Sequence, residues 1–550
     1  MNTPLRLHRL TDEARVVAAG ARGAARTGLL RPMLPTTGLR IAAQVRRWGT
    51  GPAIGFSLGS VRHPDQVAVI DLDDDERPET SFAEIDHRCT ALALALRDRG
   101  IDGNATVGLL GRNSRSFLEA IIGVARTGAN LVYLNTSIER GQFQQVATGH
   151  SMSLVIHDQE FADLVPDGVA RLQMDEKSGL PLLATLPIRR SLQPPVQYGQ
   201  HVIMTSGTSA GRPRGAGRSG ATFNAVAALL DAFPLTVGDT VVIGAPLFHS
   251  WAWMNHRLGC LLDCTQVVMR KPDPERILAA LAATDATGLV TVPVVLRWMV
   301  DLPTRIRRRY RLDALKCVAV SGSALPSSLA TEFMDEFGDV LYNLYGSTEA
   351  GFATCATPED LRIDPEGAGR PLPGVHVEIL DRRGRPLPVG EEGRVFVSSS
   401  ETFHGYTDGT DRPRVRGMVF TGDVGRVDLQ GRLTIVGRAD DVIITGGENV
   451  HPAEVEQVLR TNDKLVDAAV AGRPDPVYGA ILVAHVVPAD RETFNPEELV
   501  SWCRQVLGPH HRPRAVVVHD SLPRNPTGKL LRRVLAGDGA DFRDPNEYYD

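Results

Sequence analysis

Lysine is nearly missing from this chain. Lys177, Lys271, Lys316, Lys464 and Lys529 are the only five among 550 residues, against 55 arginines. A bias of that kind is usually genomic, and it draws attention to any lysine that persists inside a motif. Net positive charge is lacking too: the formal charge is −5, so no basic field argues for a nucleic-acid partner. No run approaches the roughly 20 apolar residues that cross a bilayer, and the Met1 end has no apolar stretch of the secretory kind. The expected location is therefore cytoplasmic. Six cysteines are scattered along the chain, and only Cys260 and Cys264 are near neighbours. No second Cys/His pair completes a zinc set, so they read as small buried apolar residues of a reducing compartment. Two familiar phosphate cradles are missing as well, the Gly-Lys-Ser/Thr loop and the dinucleotide fingerprint.

The length exceeds one compact core and allows about three or four domain-sized units. Residues 1–56 form a basic extension, with nine arginines in the first 50 positions against Asp12 and Glu13. Between Leu10 and Leu34 the pattern reads as one or two short basic helices, either packed on the main body or touching a membrane surface peripherally. From about Ser57, short β-branched runs alternate with Ala/Leu-rich amphipathic stretches. Strands are expected at Gln66–Leu72, Thr106–Leu110, Asn130–Leu134, Leu154–His157, His201–Met204 and Thr240–Ile243, with helices at Phe82–Gly100 and Ser114–Gly128. That alternation argues for an α/β, multi-domain chain with parallel sheets. After Gly374 the rhythm turns β-rich, at Val375–Leu380, Gly393–Ser398 and Arg432–Val436. A new α/β pattern starts after Arg438, which puts the boundary at Gly437–Asp441. The expected units are 57–437, with its β-rich part at about 374–437, and 438–550.

Five short motifs carry chemistry. Met204-Thr-Ser-Gly-Thr-Ser-Ala-Gly-Arg-Pro-Arg-Gly215 follows a strand, and its glycines let backbone N–H groups approach phosphate oxygens while hydroxyls and arginines add donors. Leu341-Tyr-Asn-Leu-Tyr-Gly-Ser-Thr-Glu349 ends a strand on a carboxylate beside hydroxyls, which suits Mg²⁺, and Tyr345 offers a ring face to a base. Thr421-Gly-Asp423 puts a carboxylate on a tight turn suited to ribose hydroxyls. Val436-Gly-Arg-Ala-Asp-Asp-Val-Ile443 with Thr445-Gly-Gly-Glu-Asn449 is the fourth, and Leu522-Pro-Arg-Asn-Pro-Thr-Gly-Lys529 the last. Each alone is weak; their order and spacing are hard to obtain by chance.

The set resembles the adenylate-forming superfamily of acyl-CoA synthetases, luciferases and peptide-synthetase adenylation domains, over roughly residues 57–535. Gly111-Arg-Asn113, Arg126-Thr-Gly-Ala129, Asn135-Thr136, Ala245-Pro-Leu-Phe-His249 and Gly369-Arg-Pro-Leu-Pro-Gly374 look most like its fatty acyl-CoA synthetase branch. The resemblance implies a large N-terminal domain, a small mobile C-terminal α+β domain, and an active site between them. It implies ATP, Mg²⁺ and coenzyme A as cofactor and co-substrates, and a medium- to long-chain fatty acid as substrate. By matching motifs, Thr205, Ser206, Gly207, Thr208, Ser209, Gly211 and Arg214 would hold the ATP phosphates, and Glu349 the Mg²⁺. Tyr345 would stack on adenine, with Gly346, Ser347 and Thr348 beside it and Gly322, Ser323 and Ala324 lining the pocket. Asp423 and Arg438 would take the ribose. His249, Trp251 and Gly346 would border the acyl group. Asp440 would be the hinge, and the loop containing Gly447 would swing in for the thioester step. Lys529 would bridge the substrate carboxylate and the α-phosphate.

Two features depart from the pattern. The phosphate loop is one residue longer than usual and has Arg214 where the family has lysine, and arginine's planar fork is not interchangeable with an ammonium. Trp251-Ala252 follows His249 where a glycine is common, which would reshape the acyl tunnel. Several residues keep a plain structural reading: His249 as a turn histidine, Trp251, Trp253 and Trp298 as core, His451-Pro452 and Glu454 as a helix start, and His510 and His511 as solvated loop residues. Delivery of the adenylate to a carrier protein or another acceptor stays open, as does a non-catalytic nucleotide-binding relative. The sequence leaves oligomeric state open, a homodimer included.

Overall fold

The computed structural model describes residues 16–175, 177–205, 214–218, 223–347, 349–399, 402, 411–445, 448–475, 478–525 and 528–536. The chain forms a large N-terminal α/β domain and a small C-terminal domain. Two sheets make up the layered part of the former. The first has six strands in the spatial order Ala170–Gln173, Leu154–His157, Thr106–Leu110, Asn130–Tyr133, His201–Thr205 and Arg214–Arg218. All its pairings are parallel except the last, an antiparallel hairpin. The second begins with an antiparallel edge strand, Glu79–Ser81, followed by six parallel strands in the order Val67–Asp71, Thr265–Val268, Thr240–Ile243, Gly288–Thr291, Cys317–Val320 and Leu341–Ser347. It continues through antiparallel strands Gly351–Ala356, Gly367–Pro371, Leu433–Arg438, Met418–Val427, Gly393–Ser398 and His376–Leu380.

The helix Arg115–Thr127 explains how the layers are held. Ser114 caps it by accepting from the Phe117 N–H at 3.1 Å, and Gly128 ends it at φ 95°, a left-handed stop that glycine adopts without strain. Its residues from Ser116 to Thr127 are all buried, as a helix covered on every side requires. Arg126 on this helix is wholly buried, and every donor is used. It reaches Ala53 O at 2.9 Å, Asp86 O at 3.0 Å, Thr90 Oγ1 at 2.7 Å and Ser57 Oγ at 2.8 Å, and also pairs with the Asp86 carboxylate. The Arg126-Thr-Gly-Ala129 motif is therefore a tie across the core, where an unpaired charge would be prohibitive.

The basic extension has one helix within the expected Leu10–Leu34 segment and one beyond it. Residues 16–27 are helical, but a second helix occupies Pro35–Trp48, beyond Leu34. Gly28 at φ 84° breaks the first, and Pro35 at the first position starts the second. The first helix is packed on the main body: Arg26 caps the end of the helix Phe223–Ala232 through Leu230 O at 2.6 Å and Phe233 O at 2.7 Å, and Arg22 pairs with Asp231 at 3.0 Å. Among the described residues no helix is long and apolar enough to cross a membrane. All six cysteines are buried free thiols, and burial pushes Cys260 and Cys355 up to about 12.

A single 3₁₀ turn, Ala439–Asp441, links the last strand of the large domain to the small one. The small domain has a five-stranded sheet in the order Glu448–Val450, Ile443–Thr445, Gly479–Pro488 and Leu465–Asp475, with Ala515–Val518 parallel to Gly479–Pro488. Helices Pro452–Leu459 and Pro496–Val506 pack on it through Val455, Leu459, Leu499 and Cys503. Pro452 is the first helical residue, as its motif suggested. His510 is exposed, and His511 is partly exposed with its Nε2 3.1 Å from Glu454.

Candidate active site

Parallel strands send their loops to one edge, and ligands of open α/β sheets bind outside the carboxyl ends of the strands. Here that edge meets the small domain around a cavity of about 1140 Å³. Its walls include His249, Trp251, Gly322–Ala324, Tyr345–Ser347, Glu349, Asp423, Arg438 and Lys529, so residues spread over 280 positions of sequence converge there. Gly322 turns the chain at φ 94° after the strand Cys317–Val320. Gly346 sits at a register shift, where a Cβ would meet Gly351 O at 2.4 Å. Ser347 Oγ accepts from the Ala350 N–H at 3.0 Å.

Asp423 is a buried anion of the cavity held by two donors. It lies directly opposite Arg438 in an antiparallel pair, and the Arg438 Nη1 donates to its Oδ1 at 3.1 Å. Its Oδ2 accepts from the Tyr345 hydroxyl at 2.6 Å, a link the motifs did not announce. Burial first, and that carboxylate second, hold the Tyr345 phenol well above its ordinary range. Gly422 makes the arrangement fit. Its φ is 90°, and a Cβ there would fall 2.9 Å from Arg438 Nη2, so the glycine of Thr421-Gly-Asp423 is the space through which the guanidinium passes.

Lys529 arrives from the small domain. Asn525 Oδ1 accepts from the Lys529 N–H at 2.8 Å, and the Asn525 N–H donates back to Lys529 O at 2.8 Å. Arg524 braces the loop by reaching Gly528 O at 2.9 Å and Asp467 at 2.7 Å. Gly528, at φ 77°, leaves so little room against Val294 of the large domain that a Cβ would stand 2.6 Å from Val294 Cγ1. The loop is thus seated on the large domain, with the ammonium among Arg438, Asp441, Asp423 and Glu349. Burial first, and Arg438 second, lower the Lys529 pKa.

Glu349 is buried, and Arg412 Nη2 stands 3.6 Å from its Oε1. Among the described residues no three His, Cys, Asp or Glu side chains could enclose a metal. A single carboxylate fits Mg²⁺ all the same, because that ion keeps waters and substrate phosphates in most of its positions. His249 occupies the N-cap position of the helix Ser250–Leu261 and is half-buried. Its Nε2 has no hydrogen-bond partner among the described residues, and desolvation lowers its pKa to about 4, so it is neutral at physiological pH. Trp251 is fixed as wall: its Nε1 donates to Thr291 O at 2.9 Å, and Phe233 and Phe352 meet it edge-on. Trp253 is buried core away from the cavity, while Trp298 lines it.

The phosphate loop is described only at its ends. Thr205 and Arg214 face each other as backbone partners of the hairpin. Ser206, Gly207, Thr208, Ser209 and Gly211 lie outside the described residues, as do Thr348, Gly447 and the side chains of Thr205, Arg214 and Asp440. Two charged neighbours of the cavity went unread in the sequence. One is Arg412. The other is Arg532, which donates to Glu456 Oε2 at 3.0 Å and Val470 O at 2.9 Å and stands 3.3 Å from Asp441, next to the linker. Only folding shows these pairs, because an arginine preceding a proline or in an Arg-Arg pair carries no local signal.

Burial raises and Arg532 lowers the Glu456 pKa, with a net fall. A carboxylate depressed in the folded state contributes stability above its unfolded pKa, and that stability is lost as pH falls through the folded value. Arg532→Met strands this buried charge and is expected to cost about 3–5 kcal/mol. Urea denaturation followed on the small domain checks this; the part of the acid-side loss that Glu456 contributes should also shrink or reverse in the variant, because protonating a buried carboxylate that has lost its arginine favours the folded state.

A family model described as AMP-binding enzyme matches residues 59–407, and one described as AMP-binding enzyme C-terminal domain matches 454–529. A feruloyl-CoA synthase from Amycolatopsis sp is 30% identical over 462 residues, covering 82% of this chain and 92% of that protein. A fatty acid–[acyl-carrier-protein] ligase, ScoC of Streptomyces coeruleorubidus, is 29% identical over 83% of this chain and 91% of its own length. Among solved structures, the amide bond synthetase McbA from Marinactinospora thermotolerans superposes with a TM-score of 0.76 at 27% identity, covering 91% of this chain and all of McbA. With one cavity joining the two matched parts, the chain belongs to the AMP-binding enzyme family, ATP-dependent ligases that activate an acid as its adenylate.

Proposed function

We propose that this protein activates a medium- to long-chain fatty acid as acyl-AMP and transfers it to coenzyme A, releasing pyrophosphate and AMP. The observation that carries the reading is the convergence of Lys529, the Asp423–Arg438 pair and Glu349 on one cavity across the domain boundary. A carboxylate oxygen attacks the α-phosphorus in line; the bond to the bridging oxygen breaks and pyrophosphate leaves. Positioning and charge neutralisation do the work, and no enzyme nucleophile is needed. Lys529 supplies a compact positive charge between the substrate carboxylate and the α-phosphate. Asp423 and Arg438 hold the ribose hydroxyls, and the Tyr345 ring lies along the adenine, with Gly322–Ala324 on its other side. Thr205 and Arg214, at the two ends of the phosphate loop, bracket the triphosphate. Glu349 is the carboxylate that would hold Mg²⁺, which when bound offsets phosphate charge. The small domain, residues 438–550, then turns about Asp440, withdraws Lys529 and brings the Gly447 loop to the thioester site.

The apolar wall formed by Trp251, Val292, Trp298 and Phe352, with neutral His249 beside it, supports an uncharged tail. An aromatic acid is the second reading, favoured by Trp251 being locked between Phe233 and Phe352 as a flat wall. A panel of fatty acids from short to very long chain and of aryl acids, each with ATP, Mg²⁺ and CoA, tests both. The highest kcat/KM is expected on a medium or long fatty acid, with acyl-CoA as product. A maximum on aryl acids overturns the fatty tail, and acyl-AMP without acyl-CoA overturns the acceptor.

A further inference from the structure

The basic extension is held at both ends and bare between them. At one end the Val237 N–H donates to Thr27 O at 2.9 Å, beside the cap that Arg26 makes on the helix Phe223–Ala232. At the other, Trp48 is buried, with the guanidiniums of Arg47 and Arg126 over its ring at 4.7 and 4.9 Å. Arg47 also donates to Leu192 O at 2.6 Å, and the Tyr198 hydroxyl donates to Arg47 O at 3.0 Å. Between these anchors residues 30–36 are all exposed. Leu30, Leu34 and Leu39 are 66%, 71% and 73% exposed. They form a cluster: the Gly38 N–H donates to Leu34 O at 3.1 Å, and Met33 Sδ would lie 4.0 Å from a Cβ on Gly38, next to Leu39. Along the helix Pro35–Trp48, Leu39, Ala43 and Arg46 share one face. Contiguous apolar exposure of this kind marks a contact surface.

The charge around it has one sign. No acidic residue occurs between Glu13 and Asp65, a stretch with eight arginines. Arg31, Arg40 and Arg46 are exposed and have no ion-pair partner among the described residues. The whole chain is at −5, so any pull toward an anionic surface is local to this segment. An anionic bilayer suits both features: leucines enter the boundary between headgroups and acyl chains, and guanidiniums meet lipid phosphates. A second copy suits them less, because a two-fold contact through the same patch sets these arginines against one another. None of these residues lines the cavity, and all precede the family match at residue 59.

We propose that residues 28–46 dock this protein on an anionic lipid surface, with Leu30, Met33, Leu34 and Leu39 entering the interface while Arg31, Arg40 and Arg46 pair with lipid phosphates. The first helix serves as the fixed base, and the proline-flanked turn with the start of the second helix is the part that meets lipid. A short segment of this kind gives reversible contact that salt weakens. The docking is independent of which acid the cavity takes.

Co-sedimentation of the full chain with vesicles of phosphatidylcholine alone, or of phosphatidylcholine mixed with phosphatidylglycerol, tests it at low and raised ionic strength. Wild type should bind the mixed vesicles, release them as salt rises, and leave the neutral vesicles unbound. Arg31→Gln, Arg40→Gln and Arg46→Gln together should weaken binding on the order of 100-fold, about fivefold for each arginine. Leu30→Ser, Leu34→Ser and Leu39→Ser together should weaken it about 10-fold or more. ATP affinity should stay at the wild-type value in both. Should the triple leucine variant misfold, Leu34→Ser alone carries the same comparison on a smaller scale. A wild type that ignores the mixed vesicles, or binds neutral ones equally well, overturns the proposal; so does wild-type affinity in either set of substitutions. A dimer that the leucine substitutions dissociate, in protein that binds no vesicles, would give this face to a second copy and overturn it too.

Discussion

Lys529→Ala is expected to slow acyl-AMP formation by about 10²- to 10³-fold, the scale of losing one preorganised charge partner in a transition state. Thioester formation from supplied acyl-AMP should stay within a few-fold of wild type. The asymmetry is the informative part. Lys529 reaches the cavity only because Gly528 packs on Val294 and Asn525 closes the loop around it, and the reading given above withdraws that loop for the second step. Lys529→Arg should not restore the rate, since a forked guanidinium does not replace a point charge between two anions. Single-turnover measurement of each half-reaction checks this. Equal losses in both would show that Lys529 holds the fold of the site rather than the adenylation transition state.

Asp440→Pro is expected to give the reverse pattern. Proline fixes φ near −65°, within the 3₁₀ range, and Ala439–Asp441 is a 3₁₀ turn. The substitution should lock the linker in the observed arrangement. Acyl-AMP formation should then stay within a few-fold of wild type, while transfer to CoA falls on the order of 100-fold, the cost of a misplaced reacting pair. Rapid-quench assays that follow acyl-AMP and acyl-CoA separately would reveal it. A variant that forms acyl-CoA at the wild-type rate rules out Asp440 as the hinge.

The elements legible in the sequence were those whose local chemistry and tertiary environment agree. Thr106–Leu110, Leu154–His157, Thr240–Ile243 and Gly393–Ser398 form strands at their expected limits, because β-branched runs in buried sheet positions leave no competing structure. Arg115–Thr127 was legible from its Ser cap and Gly stop. Ala170–Gln173, Arg214–Arg218 and Gly367–Pro371 were not. Their sequences lack β-branched residues, and their strand character comes from the neighbours they pair with. Pro35–Trp48 was missed because its apolar positions are diluted by arginine and threonine.

At the candidate site, the individual charges could be named, but their partners could not. Tyr345 and Asp423 are 78 residues apart, and Arg532 and Glu456 are 76 apart; no spacing rule links such positions. Arg412 illustrates the limit most plainly. In sequence it is one arginine among many in a Pro/Arg-rich stretch, and only the fold sets it beside Glu349.

Acid-dependent exchange of labelled pyrophosphate into ATP, on the wild-type protein across the fatty- and aryl-acid panel, tests most directly whether this chain forms an acyl adenylate. Exchange is predicted with at least one apolar acid, absent without acid, dependent on Mg²⁺ and lost in Lys529→Ala. No exchange with any acid, in protein that demonstrably binds ATP, would contradict the account.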